Sequence, residues 1–408
     1  VKALLRASLT LIAGGALAQA LPLLLGPLLT RLYAPAQFGR YHLFAAVAAN
    51  LAVVACARYE HALPLARDTD EARALGALCR WLLLGAIALS ALGALAWAWA
   101  SAALWPLWLP AAVGALGLLS LATLSAMREQ RFAALATSRV LQHGGGAALQ
   151  AIAGALGAGL WGLIAAPIAA ALAAGVWLRP RLALAWRVPR GELLAVARRH
   201  RDFPLLNTPH AFLGALQDTL AVGLIAAWQG PAAAGFWGLA LRYLKAPATL
   251  VGGAVSQALY PALAATAGRA DADARSAVRR VMRTLALLAA PLVLALWLFA
   301  PAAFAWAFGE AWREAGALAR ALALYIGVHF VASPLSVVTM AWGAQAWALK
   351  LSLIGQALFV ASLTLGLAVG GLEGAGWAVS AAMCLYFGWY FWKLATWPVP
   401  AMAAPAAS

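Results

Sequence analysis

The sequence predicts an all-α, polytopic membrane protein: about twelve transmembrane helices in two pseudo-symmetric six-helix bundles, with both termini cytoplasmic. Three observations carry that expectation. Of 408 residues, 65% are hydrophobic and 10% charged, with mean hydropathy +0.84, more apolar surface than one soluble core can bury. Apolar runs of about 20 residues, the length that crosses a hydrocarbon core of ~30 Å, recur along the whole chain. Finally, 21 of the 29 Lys and Arg residues fall on every second connection between those runs, while the alternate connections carry only Arg31, Arg40, Arg313 and Arg320. Cytoplasmic loops retain Lys and Arg, so this alternation sets the topology.

The first apolar run, residues 8–30, is long enough to span and is followed by no convincing small-residue cleavage site, so it reads as an insertion signal that stays. Further spans are expected at 41–63, 75–98, 106–127, 132–155 and 160–178. The split between the fifth and sixth rests on Gly154, Gly157, Gly159 and Trp161. A polar connection, 179–203, then separates an N-terminal bundle (1–178) from a C-terminal one (204–397) with spans at 204–228, 234–263, 285–308, 317–342, 349–369 and 375–396. Within the connection, Leu193, Leu194 and Val196 beside Arg198, Arg199 and Arg201 suggest either a short helix on the inner leaflet or a solvated basic linker. Residues 398–408, rich in small residues and Pro, are expected to be disordered. Tryptophans such as Trp105, Trp108, Trp161, Trp177, Trp228 and Trp397 cluster near span ends, as interfacial anchors do.

A net charge of +16 would point to nucleic acid in a soluble protein; here it is the loop bias plus attraction to anionic headgroups, and no nucleic-acid partner is expected. Cys56, Cys79 and Cys384 lie scattered in apolar sequence without CxxC spacing, so they read as small buried hydrophobes; neither metal nor cofactor is expected. No phosphate-loop, HExxH or GxSxG pattern occurs, and outer connections are too short for a catalytic domain, so the chain does not read as an enzyme.

An internal repeat supports two halves. The stretch from Ala34 to Tyr41 (APAQFGRY) recurs in type from Gly230 to Trp237 (GPAAAGFW), each after the first span of its half. Pro64 follows Pro35 at nearly the interval by which Pro261 follows Pro231, each expected to close the next span. Six spans per half give both halves the same orientation, with a cavity expected between them.

Charge at bilayer depth costs ~2.5–3.5 kcal/mol per Arg or Lys on the insertion scale, so Arg58, Arg139, Arg242 and Lys245 need a reason. Snorkelling is the plain explanation, and it suits Arg139 best, close to Arg131. Asp218 and Arg242 are equidistant from Gly230, roughly 18 Å along their helices at 1.5 Å per residue, with Lys245 one turn beyond Arg242. Asp218 can neutralise one of the two cations, either as a structural ion pair or beside an anionic ligand held by the other. Pro247 is expected to bend the helix there. In the first half, Glu60 and His61 accompany Arg58, and Gln142 and His143 share a helical face with Arg139. Asn207, His210 and Gln217 add polar groups to the seventh span. The four deep bases exceed Glu60 and Asp218 by two, which suits a water-filled cationic cavity and a phosphate-bearing substrate.

The run Leu28-Leu29-Thr30-Arg31-Leu32-Tyr33-Ala34-Pro35-Ala36-Gln37-Phe38-Gly39, followed by Arg58-Tyr59-Glu60-His61-Ala62-Leu63-Pro64, resembles the Wzx-type oligosaccharide flippases of the multidrug/oligosaccharidyl-lipid/polysaccharide exporter superfamily. The resemblance continues through Phe203-Pro204-Leu205-Leu206-Asn207-Thr208-Pro209, the turn at Gly230, Ala240-Leu241-Arg242, Pro247 and Ser256-Gln257-Ala258-Leu259-Tyr260-Pro261; beyond about residue 285 only topology is similar. It implies a transporter in the bacterial inner membrane that moves undecaprenyl-diphosphate-linked repeat units by alternating access, for polysaccharide or lipopolysaccharide (O-antigen) synthesis. Arg58, Glu60 and Arg242 lie inside these motifs; Arg139, Asp218 and Lys245 rest on depth alone. A counter-flow of H+ or Na+ through Glu60 or Asp218 would suit such a transporter, with membrane lipids as its other partners. A cation-coupled multidrug antiporter of the same superfamily and a membrane glycan polymerase or ligase remain alternatives, the first disfavoured by the basic surplus and the second by the short outer loops.

Overall fold

The computed structural model describes residues 2–178, 188–265, 271–342 and 344–397, and among them there is no strand. The helices are α1 (Lys2–Leu32), α2 (Pro35–Val54), α3 (Thr69–Ser101), α4 (Leu109–Arg128), α5 (Phe132–Val140), α6 (Gly146–Ala155), α7 (Gly159–Leu178), α8 (Arg190–Arg199), α9 (Thr208–Ala265), α10 (Asp271–Phe308), α11 (Arg313–Ala321), α12 (Ala323–Ala341) and α13 (Gln345–Thr396). Seven helices are long and apolar enough to cross a membrane, or up to nine if two sharply bent pairs each count as one span. Two of the long ones are continuous only across glycines with non-helical backbone, Gly230 in α9 and Gly370–Gly371 in α13, so each contains two of the expected segments. Residues 132–155 are helical throughout but pass through a π turn, Leu141–Gly145. Each of the twelve segments read from hydropathy therefore falls largely on helix, the second being broken between Val54 and Tyr59.

Compactness divides the chain into two units, Val1–Ala226 and Ala227–Ser408. This boundary lies one helix beyond the polar connection at which the sequence suggested a divide. The reason is visible on the seventh segment: Thr219 donates to the Ala46 carbonyl at 3.2 Å and accepts from Asn50 Nδ2 at 3.3 Å, joining it to α2. The six-plus-six pseudo-symmetry is a separate statement about relatedness and stays a proposal.

Unit 1 buries Leu75, Leu83, Val113, Ile164 and Leu178 in a core shared by α3, α4 and α7. Polar side chains join its helices to backbone carbonyls. Arg128 donates to the carbonyls of Leu63 (3.1 Å), Ala66 (2.6 Å) and Asp68 (2.9 Å), and Arg131 donates to that of Leu178. Tyr33 donates to the Gln150 carbonyl at 2.7 Å, and the Gln150 amide to Leu163 at 2.9 Å. In an apolar medium such groups bond inside the protein because unsatisfied ones cost several kcal/mol.

The basic helix α8 is neither free nor only lipid-facing. Its Val196 is buried, Tyr59 donates to the Ala197 carbonyl at 3.1 Å, and the Glu71 carboxylate of α3 accepts from Arg199 (3.1 Å) and approaches His200 Nε2 at 3.0 Å. Glu71 also accepts the Arg67 backbone N–H at 2.8 Å, so one buried carboxylate locks the start of α3 to α8. The remainder of the connection, 179–187, and the tail, 398–408, lie outside the described residues.

Unit 2 packs Val278, Leu335, Val338 and Leu394 from α10, α12 and α13. Aromatic pairs supplement them: Trp347 stacks on Tyr390 at 5.9 Å, Trp237 meets Phe359 edge-on at 6.2 Å, and Phe236 meets Trp312 at 5.8 Å. Two basic residues that stood against the charge alternation have partners, since Arg313 pairs with Glu310 and Arg320 with Glu373 at 3.2 Å.

The two repeat turns share a proline at the helix start but are closed differently. At Ala34 the backbone is extended, and its N–H donates to Gln37 Oε1 at 3.0 Å. At Gly230 a φ of 84° with ψ of 171° makes the turn, a region essentially restricted to glycine. The prolines of the two halves sit in different local structure. Pro64 lies in a 3-10 turn, Tyr59–Leu65, after α2 has ended, whereas α9 runs helically through Pro247 and Pro261 as far as Ala265. A proline ring removes one helical hydrogen bond; here the surrounding turns keep helical geometry.

Candidate functional site

Polar chemistry gathers at three places in unit 1 and one in unit 2. The first is a cavity of about 300 Å3 lined by Gln19, Thr123, Ser138, Arg139, Gln142 and His143, with Gly15, Ala18 and Leu135 as its small and apolar walls. It forms where α5 passes through the π turn Leu141–Gly145; such turns accommodate an extra residue per ring and recur at functional sites. Arg139, Gln142 and His143 thus share the face that their spacing anticipated. Arg139 is the residue for which snorkelling looked most natural, yet its guanidinium lies against Gly15 in a polar pocket, without an ion pair among the described residues. Gln19 and Thr123 were not foreseen, because nothing in a one-dimensional pattern brings α1 and α4 to α5.

The second place is the break between α2 and the 3-10 turn, where the chain bends by 52°. Arg58 sits there at φ 61°, a left-handed conformation unusual for a side chain of this size. Its Nε is buried without a hydrogen-bond partner, as is Oε2 of Glu60, while His61 Nε2 stands 3.9 Å from Glu60 Oε1. The carboxylate and the guanidinium are therefore neighbours in an apolar setting with unused bonding capacity.

The third is the seventh segment. Asn207 closes a π turn, Phe203–Asn207, and is exposed, as are His210 and Asp218; Gln217 is half-buried. None of these four makes the cross-helix bonds of this segment. The residue that does so is Thr219, and a lone threonine in an apolar run gives no sequence signal for it.

In unit 2, Arg242 and Lys245 lie half-buried on one face of α9 and form no ion pair among the described residues. Lys245 is within electrostatic reach of His329 on α12. His329 Nδ1 is buried without a hydrogen-bond partner, and its ring faces Tyr325 at 5.7 Å and Phe387 at 6.3 Å. The sequence reading passed over His329, since a single histidine in a span is ordinarily a satisfied core residue. What the arrangement can do is bind anions: Arg139, Arg242 and Lys245 stand among helices with no ion pair among the described residues.

Sequence comparison matches residues 28–317 to the family model described as "Polysaccharide biosynthesis protein". The chain belongs to the polysaccharide biosynthesis protein family. No match is found among curated proteins by sequence. Among solved structures, the chain is similar to the lipid II flippase MurJ in an inward closed conformation, with a TM-score of 0.70 and 11% identity over 96% of this chain and 90% of that one. It is also similar to an inward-facing multidrug resistance MATE family transporter of the MOP superfamily, with a TM-score of 0.66 and 14% identity over 94% and 93% of the two chains. The Vibrio cholerae MATE transporter VcmN gives 0.54, with 17% identity over 97% and 95%. At such identities the likeness is one of fold.

This member of the polysaccharide biosynthesis family therefore has the multi-pass fold of membrane transporters. The family match takes in Arg58, Glu60, Arg139, His143, Asp218, Arg242 and Lys245, while Gln19 precedes it and His329 lies beyond it.

Proposed function

We propose that this polysaccharide biosynthesis family protein is a flippase that carries undecaprenyl-diphosphate-linked oligosaccharide repeat units across the bacterial inner membrane by alternating access, with the basic connections cytoplasmic. The observation that carries the reading is the surplus of cations within the helices: Arg139 in its polar cavity, and Arg242 and Lys245 on α9, none of them ion-paired among the described residues. A diphosphate presents charge and acceptors that match guanidinium forks, and it repays the cost of keeping those forks at depth. The sugars follow the diphosphate through the polar lining that Gln19, Gln142 and His143 provide, while the polyprenyl tail stays in lipid. Glu60 and Asp218 are the acids available to a counter-ion, H+ or Na+; the unpartnered oxygen of Glu60 makes it the stronger of the two.

The test is export of surface polysaccharide in cells that carry Arg139→Ala, Arg242→Ala or Lys245→Ala. Each is expected to lower export at least about tenfold, the loss of roughly 1.4 kcal/mol of substrate or transition-state binding. Amounts of protein in the membrane should not change. Normal polymer at normal protein levels in all three variants would sink the reading. A drug antiporter predicts the converse, resistance to cationic dyes that depends on Glu60 or Asp218 and not on the bases.

A further inference from the structure

Cys56 and Glu60, four residues apart, and Cys79, on the next helix, each offer a ligand atom, and the three atoms lie within 4.8 Å of one another. All three side chains are buried, at 2%, 2% and 0% exposure. Such a cluster in an apolar interior is ordinarily closed by hydrogen bonds. Here the Cys56 thiol donates to the Cys79 carbonyl at 3.5 Å and lies against the Cys79 thiol, while Oε2 of Glu60 has no partner. A point equidistant from three atoms at that 4.8 Å limit lies about 2.8 Å from each, so the atoms draw in by about 0.5–0.8 Å to reach the ~2.0–2.3 Å of zinc–oxygen and zinc–sulfur bonds.

We propose that Cys56, Cys79 and Glu60 form a binding site for a borderline-soft divalent cation of the zinc class. Two thiolates exclude calcium and magnesium, which take oxygen ligands, and a carboxylate as third ligand favours zinc over copper(I). Binding displaces the two thiol protons to solvent, with no redox change. The three anionic ligands then exceed the metal's charge by one, and one cation next to them in sequence, Arg58 or Arg80, suffices to balance it. A fourth position is left for water.

The location gives the site a consequence. Cys56 and Glu60 flank the left-handed pair Ala57 (φ 47°) and Arg58 (φ 61°) at the bend after α2, and Cys79 is on α3, so a bound cation pins the bend to its neighbour. It also occupies Glu60, the acid proposed above for counter-ion traffic, so metal should slow transport. Binding itself does not depend on that reading.

The experiment uses the purified, reduced full-length chain in lipid nanodiscs, titrated with Co2+ as a spectroscopic probe and then with competing Zn2+. One Co2+ per chain is expected, with a thiolate-to-cobalt charge-transfer band that Zn2+ abolishes. Cys56→Ser and Cys79→Ser should remove the band, Glu60→Gln should weaken binding at least tenfold, and Cys384→Ser should leave both unchanged. If a cysteine variant fails to fold, the wild-type chain still decides: absence of the band in folded protein overturns the proposal. So does a band that survives Cys79→Ser or requires Cys384. Loss of polysaccharide export in the arginine variants with metal binding intact would separate this site from the anion sites.

Discussion

The two units reach the same end, helices packed in lipid, by different means. Unit 1 is jointed by polar side chains that cross from one helix to the carbonyls of another: Arg128, Arg131, Tyr33, Gln150 and the buried Glu71. Unit 2 relies more on close backbone approach and on aromatic faces. A Cβ on Gly366 would stand 2.5 Å from the Gly374 carbonyl oxygen, and one on Gly316 would stand 2.5 Å from that of Ala300. Glycine seams in unit 1 mostly oppose side chains instead, as where Gly144 meets Leu21 and Gly117 meets Leu83. The lesson is about where polarity can be held. Small residues let backbones touch and need no polar joint. A unit jointed through polar side chains already contains the groups from which a cavity such as that around Arg139 can be made.

The largest effect should come from breaking a backbone seam. Gly366→Val is expected to cost more than about 3 kcal/mol and to abolish accumulation of folded protein, because two backbones must separate. Gly144→Ala should cost about 1 kcal/mol or less, since only the end of the Leu21 side chain has to yield. The yield of folded protein from membranes measures the first and thermal unfolding in detergent the second, and equal losses would erase the distinction between the units. An intermediate effect is expected at the charged joints. Arg128→Ala removes three donors to carbonyls and should destabilise unit 1 by about 2–4 kcal/mol. Arg320→Ala, which breaks an exposed pair with Glu373, should cost less than about 1 kcal/mol. The smallest difference sharpens the comparison by its sameness. Tyr33→Phe in unit 1 and Tyr390→Phe in unit 2 each delete one hydroxyl that donates to a carbonyl, at 2.7 Å to Gln150 and 3.2 Å to Leu335, and each should cost about 1 kcal/mol.

Part of the candidate site was legible before any coordinates. The spacing of Arg139, Gln142 and His143 already put them on one face, and the spacing of Arg242 and Lys245 put them on one face of α9. Other parts were not. The π turn that opens the Arg139 cavity follows from packing among α1, α4 and α5, and the continuation of helix in α9 beyond Pro247 and Pro261 to Ala265 likewise rests on its neighbours. The basic stretch 190–199 looked equally fit for a leaflet surface or for solvent, and a single carboxylate on α3, Glu71, draws it onto the bundle.

Amino-acid order alone determined that the chain is all-helical, roughly where its apolar segments lie, and how Lys and Arg alternate between connections. These are partition properties: each residue is weighed against lipid or water, and a sum along the chain suffices. Which side chains meet was decided by the tertiary structure, as in the approach of Cys79 to Cys56 and Glu60 or of Lys245 to His329. That depends on the rotation of each helix about its axis and on breaks such as the one at Arg58, and both are set by the packing of neighbours that the linear pattern does not contain.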